Sequence, residues 1–196
     1  MPGPLYLVRH GQTDWNAEAR FQGQKDIDLN DLGRRQAHEN GLKLADLIGS
    51  TVDQFEFVAS PMSRTRETME LVRRAMGLDP AKYRTDSRLV EISFGDWEGL
   101  TLSNLTRAFP EKMQERVQRK WDFLPPGEKA ESFETLSMRS TDWLNSVTGP
   151  TVCVTHGGVI RTFLVAMTGM DKEEAANLDI AQDKVLKIVD GVAEWL

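Results

Sequence analysis

The sequence is poor in the residues that build cross-links and metal cages. It holds one cysteine, Cys153, and three histidines, His10, His38 and His156, in 196 residues. A single cysteine excludes an internal disulfide and suits a reducing compartment. Cys153 sits inside the apolar run "TVCVT", so it reads as a buried, inert thiol and not as a nucleophile. No HExxH or CxxC spacing occurs, and His10 and His156 share no short ligand spacing, so no metal is expected. No apolar stretch approaches the roughly 20 residues of a membrane span. The start of the sequence has no basic region followed by a long apolar segment, so a cytoplasmic location is expected. Cations are not in excess either. Lys and Arg number 24 against 30 Asp and Glu, a net charge of −6, which leaves no footprint for nucleic acid or an anionic membrane. An anionic ligand would have to be held by a local cluster of cations. There is no internal repeat and no low-complexity segment.

What is present is a chain able to bury a full core. Its 40% hydrophobic and 28% charged residues are ordinary for a globular protein, and its length suits one large domain. Leu5 to Val8, Phe55 to Ala59 and Thr151 to Thr155 read as buried strands, with a weaker one over Tyr83 to Val90 and one or two closing strands over Val185 to Val189 and Val192 to Leu196. Helical spacing runs from about Leu32 to Ile48 behind a cap at Asn30 or Asp31, from Arg64 to Met76 before Gly77, over Ser132 to Val147, and over Val159 to Met167. A helical pattern from Leu100 to Lys120 is broken by Pro110. Alternating strands and helices predict an α/β fold: a three-layer α/β/α sandwich around a mostly parallel sheet. The charged segment within about 97–147 reads as a helical excursion over one edge of that sheet.

In such sheets, ligands bind beyond the carboxyl ends of the strands. Arg9-His10-Gly11 and His156-Gly157-Gly158 follow two of the best strand candidates. Arg64 opens the helix after a third, and Glu91 follows the weaker one. Two guanidiniums suit the oxygens of a tetrahedral oxyanion, helix amides add donors, and Asn16 adds a neutral one. A neutral imidazole is a competent nucleophile toward phosphorus. An alkoxide leaving group needs a proton, and Glu91 is the candidate donor. Each residue taken singly also has a structural reading: a histidine may only end a strand, and a glycine may only serve a turn. His38 reads as polar surface. The residue pattern by itself therefore points to a phosphate site and leaves catalysis open.

The wording of the sequence goes further. "LVRHGQTDWN" resembles the signature of the histidine phosphatase superfamily, the phosphoglycerate mutase-like family. "FQGQKDIDLNDLGRRQA", "ASPMSRTRETMEL", "LVEISFGDWEG" and "VTHGGVIR" resemble that family's further motifs, in its order and across nearly the whole chain. The resemblance implies His10 as the phosphorylated nucleophile. It implies Arg9, Arg64 and His156 as the phosphate pocket, with Asn16 touching the transferred group. Glu91 would be acid, then base. Gln22 and Gly23 lie where relatives contact substrate. The chemistry would need no metal and no cofactor, with 2,3-bisphosphoglycerate required only if the chain is a mutase.

Hydrolysis and mutase transfer share the phosphohistidine and differ in the acceptor. Mutases of the family are usually longer, with basic residues in an inserted region. Here the stretch from Glu91 to His156 is short, and its Arg107, Lys112, Arg116, Arg119 and Lys120 read as a solvated helical face. The expectation is a phosphatase acting on a small phosphomonoester. The alternatives are a cofactor-dependent phosphoglycerate mutase and a non-catalytic phosphate-binding regulator. The latter is disfavoured because every proposed catalytic position carries a competent residue.

Overall fold

The computed structural model describes residues 3–196. Strand β1 (Leu5–Arg9) lies inside a six-stranded sheet with the order β3-β2-β4-β1-β5-β6. Its neighbours are β4 (Thr151–Thr155), parallel to it, and β5 (Val185–Val189), antiparallel. Strand β2 (Glu56–Ala59) pairs in parallel with β4, and the two-residue β3 (Arg84–Thr85) pairs in parallel with β2. Strand β6 (Val192–Trp195) returns antiparallel on β5. The turn between them holds Asp190 at φ 49° and Gly191 at φ 79°, the left-handed pair that matches a tight hairpin. The sheet is therefore mixed, with a parallel half that carries the histidines.

Side chains alternate across the strands, and each face has its own helical cover. Leu5, Leu7, Val58, Cys153, Leu186 and Ile188 pack against α6 (Phe133–Asn145), α7 (Gly157–Thr168) and α8 (Lys172–Asn177). Tyr6, Val8, Phe57, Ala59, Val152 and Val154 pack against α2 (Asp31–Ile48) and α3 (Ser63–Ala75). This is the three-layer α/β fold expected. Cys153 is fully buried, and burial pushes its thiol well above the usual range, as an inert core residue requires. His38 is exposed on α2.

Several elements sharpen the pattern-based expectation or depart from it, each for a local reason. Asn30, and not Asp31, caps α2, its Oδ1 accepting from Gly33 N at 3.0 Å. The strand expected over Tyr83 to Val90 shrinks to β3, because Asp86 takes the amide of Arg88 at 3.0 Å and turns the chain into a 3-10 helix over Ser87–Leu89. Glu91 follows that turn and not a strand. The helical stretch after Leu100 is broken at Pro110 as expected, into α4 (Leu102–Ala108) and α5 (Pro110–Gln118). Phe109 between them is pushed out of helical geometry by the proline that follows it. A short α1 (Asp14–Ala17), formed by a reciprocal Thr13–Asn16 capping box, and α8, capped by Asp171, were not apparent from periodicity.

The excursion is also shorter than 97–147, since α6 belongs to the layer covering the sheet. Its own small core is Trp97, Leu105, Met113 and Phe123, joined by Phe21 and Phe94.

Candidate active site

The sheet register sets the site. Arg9 pairs with Thr155, and the amide of His10 donates to the carbonyl of Thr155 at 2.9 Å. The two strands therefore leave the sheet at the same height, with His10 and His156 side by side. Their rings meet edge-on, with centroids 5.2 Å apart at 62°. The next strand over contributes Ser60, whose amide donates to Val154 O at 3.0 Å and whose Oγ is 2.8 Å from His156 Nε2.

His10 Nδ1 lies 2.8 Å from the carbonyl of Gly11. A carbonyl only accepts, so Nδ1 carries the proton and Nε2 keeps its lone pair. Gly11 has a steric reason to be glycine: a Cβ there would lie 2.2 Å from the carbonyl oxygen of Gly33 at the start of α2. Burial, then the nearby Arg64 and Arg9, hold His10 well below the ordinary imidazole value. Burial, then Arg64, His10 and Arg9, do the same to His156. Both rings are neutral at neutral pH. His156 is fully buried, edge-on against His10, and its Nδ1 has no partner.

The guanidiniums are anchored by backbone carbonyls. Arg9 Nη1 donates to Ile180 O at 2.6 Å, while its Nε is buried without a partner. Arg64 is fully buried and donates to Lys25 O and Gly23 O, each at 2.8 Å. Gln22 completes its shell. With the amide oxygen toward Arg64 it accepts from Nε at 2.8 Å and Nη1 at 3.0 Å, and its nitrogen reaches Thr13 Oγ1 at 2.6 Å. Burial lowers the Arg64 guanidinium to about 10, which leaves it charged at neutral pH. Gln22 and Gly23 thus line the cleft and also hold Arg64 in place. Asn16 Oδ1 accepts from Thr13 N at 3.2 Å and Gln182 Nε2 at 3.1 Å, so its amide nitrogen remains available as a donor.

Glu91 lines the same cleft, its Oε1 accepting from Ile92 N at 2.9 Å and Gly158 N at 3.0 Å. A Cβ on Gly158 would lie 2.3 Å from that oxygen, so the second glycine of His-Gly-Gly makes room for the carboxylate. The cleft, about 410 Å³ and open to solvent on one side, gathers Arg9, His10, Asn16, Gln22, Gly23, Arg64 and Glu91. Among the described residues, no cluster of His, Cys, Asp and Glu has metal-binding geometry.

Two cations taken for a solvated face belong to the site. Arg107, Lys112 and Arg119 are exposed as expected, but Arg116 and Lys120 line the cleft. Arg116 lies on α5 and Lys120 past its end, so no helical spacing in the sequence marks the two as a pair. Arg161 also lines the cleft, from α7 one turn after Gly157, within the "HGGVIR" motif. Gln182 and Ser60 join the site through sheet topology, and nothing local in the sequence marks them.

The histidine phosphatase superfamily (branch 1) family model matches residues 5–191. The chain belongs to the histidine phosphatase superfamily. It is 34% identical over 188 residues to a 2,3-bisphosphoglycerate-dependent phosphoglycerate mutase of Rhizobium meliloti (strain 1021), covering 92% of this chain and 87% of the relative. It is 31% identical over 172 residues to an uncharacterised phosphatase, PhoE, of Bacillus subtilis (strain 168), covering 85% and 78%. Among solved structures, a mycobacterial glucosyl-3-phosphoglycerate phosphatase matches with a TM-score of 0.76 at 27% identity, covering 94% of this chain and 88% of that one. The chain is accordingly a superfamily enzyme, phosphatase or mutase. No helix among the described residues is long and apolar enough to cross a membrane.

Proposed function

We propose that the chain is a phosphomonoester hydrolase that acts on a small phosphorylated metabolite through a phosphohistidine, without a metal. His10 Nε2 attacks phosphorus, and the bond from phosphorus to the substrate oxygen breaks. Glu91 gives its proton to the departing alkoxide. Glu91 then takes a proton from water, whose oxygen displaces His10 and releases inorganic phosphate. Arg9, Arg64, His156 and Asn16 hold the phosphoryl oxygens as charge builds on them.

The observation carrying this reading is the His10 Nδ1 hydrogen bond to the Gly11 carbonyl, which fixes a neutral imidazole with Nε2 free. The likeness to a mycobacterial glucosyl-3-phosphoglycerate phosphatase, with a TM-score of 0.76, supports hydrolysis over transfer. A mutase is the second reading. The Rhizobium relative that carries the mutase name has nearly the length of this chain, so length does not argue against it.

The test is a phosphomonoester panel, with 3-phosphoglycerate plus 2,3-bisphosphoglycerate followed in parallel for 2-phosphoglycerate. Phosphate release without isomerisation is expected. Isomerisation faster than phosphate release makes the mutase reading the correct one.

A further inference from the structure

The His156 ring has a single hydrogen bond. Its Nε2 lies 2.8 Å from Ser60 Oγ, and its Nδ1 is buried with no partner. Ser60 follows β2 directly and is itself fully buried. Its backbone is held on both sides. The amide donates to Val154 O at 3.0 Å, and the carbonyl accepts from Thr65 Oγ1 at 2.9 Å. The hydroxyl therefore hangs from a backbone with little freedom to shift. Among the described residues, Ser60 Oγ has no hydrogen-bond partner other than His156.

Counting protons decides which of the two groups donates. A hydroxyl donates or accepts, and a neutral imidazole carries one N–H and one lone pair. With the proton on Nε2, the ring would donate to Ser60. The Ser60 hydroxyl hydrogen and the Nδ1 lone pair would then both be buried unpaired. With Ser60 donating to Nε2, neither is stranded, and the Nδ1–H alone lacks a partner. Each buried polar group left unpaired is costly, so the second arrangement is favoured. A ring protonated at both nitrogens is opposed by burial, then by Arg64, His10 and Arg9. A phosphoryl oxygen would supply the acceptor that the Nδ1–H lacks.

We infer that Ser60 is a positioning residue: its hydroxyl donates to His156 Nε2, keeps the ring proton on Nδ1, and so makes His156 a hydrogen-bond donor to the transferred group and not a second nucleophile. The inference rests on the phosphatase reading, in which His156 holds a phosphoryl oxygen. Both histidines then take the same tautomer and present opposite atoms. His10 uses its Nδ1–H on the Gly11 carbonyl and keeps the Nε2 lone pair for phosphorus. His156 uses its Nε2 lone pair on Ser60 and keeps the Nδ1–H for an oxygen. A donor fixed in advance needs no reorganisation as charge builds on the phosphoryl oxygens.

The experiment reads the ring nitrogens of histidine-labelled protein by long-range proton–nitrogen NMR correlation at neutral pH, without substrate. The expected result is a pyrrole-type Nδ1 and a pyridine-type Nε2 for His156 and for His10, with exposed His38 as the unconstrained reference. A pyridine-type Nδ1 on His156 overturns the inference, and the unaltered protein alone decides this, whether or not a variant folds. In Ser60→Ala protein, His156 should lose its single tautomer while His10 keeps its own, which reports an intact site. Hydrolysis of p-nitrophenyl phosphate by that variant should fall about tenfold or more in kcat/KM, chiefly through kcat, because the lost donor acts on charge that builds in the transition state. An unchanged His156 tautomer in Ser60→Ala protein, or a kcat/KM within about threefold of the unaltered protein, overturns the inference too. The two readings are scored apart: no phosphohistidine in the unaltered protein counts against the phosphatase reading, and the wrong tautomer counts against the role of Ser60 alone.

Discussion

Arg139 and Glu131 form an ion pair, Nη2 to Oε2 at 2.8 Å, directly beneath the backbone that carries Glu91. Arg139 also donates to the carbonyls of Arg88 at 2.9 Å and Glu91 at 3.0 Å, and Glu131 Oε2 accepts from Ser93 N at 3.0 Å. The segment around Glu91 lies in a loop with no strand to stiffen it. This pair supplies the stiffness, and neither residue touches the cleft.

Arg139→Met should therefore act through Glu91. The expected result is a kcat/KM loss of about tenfold or more for alkyl phosphates, which need a proton on the leaving group, against a smaller loss for p-nitrophenyl phosphate, which does not. Equal losses for both substrates would show a general structural role. Stability should fall by about 3 kcal/mol in urea denaturation, because Glu131 is left largely buried without its partner.

His10→Ala should abolish phosphate release and leave the fold intact. Acid-labile, base-stable labelling of the protein by a 32P-phosphomonoester should vanish with it. Turnover near that of the unaltered protein would remove the phosphohistidine from the mechanism.

Arg64→Lys keeps the charge and loses the fork that binds Gly23, Lys25 and Gln22 at the cleft. A drop of roughly a hundredfold in kcat/KM is expected, in line with removal of one buried transition-state donor. A change below about threefold would place Arg64 outside the reacting group's reach.

The two buried histidines set a pH dependence of stability. Their folded-state values lie well below 6.5 and their unfolded-state values near it, so below 6.5 the unfolded chain binds protons that the folded chain does not. Stability is unaffected by them above that value and falls as pH drops beneath it, by roughly 2–3 kcal/mol for the pair over the first unit. Urea midpoints measured at neutral pH and one unit below 6.5 test this. A flat profile would mean that one or both rings take up the proton in place.

Dialysis against EDTA should leave the rate unchanged, since the steps proposed use only protein groups. A loss restored by Mg²⁺ or Zn²⁺ would require a metal in the reaction.

The sequence alone determined the layered α/β architecture, because strands buried on both faces and amphipathic helices leave unambiguous periodicities. It also marked the proposed reacting residues, because Arg9 and His10, Arg64, Glu91 and His156 sit in short contiguous motifs that resemble those of the family. Tertiary structure decided what those motifs face. Ser60 meets His156 because β2 pairs with β4, and Arg139 reaches Glu91 because α6 packs beneath the loop, across separations no local pattern spans. Arg116 and Lys120 look like any charged helical face until the excursion folds over the sheet edge. Whether a cation is solvated or part of a site depends on what packs above it, and only the assembled chain fixes that.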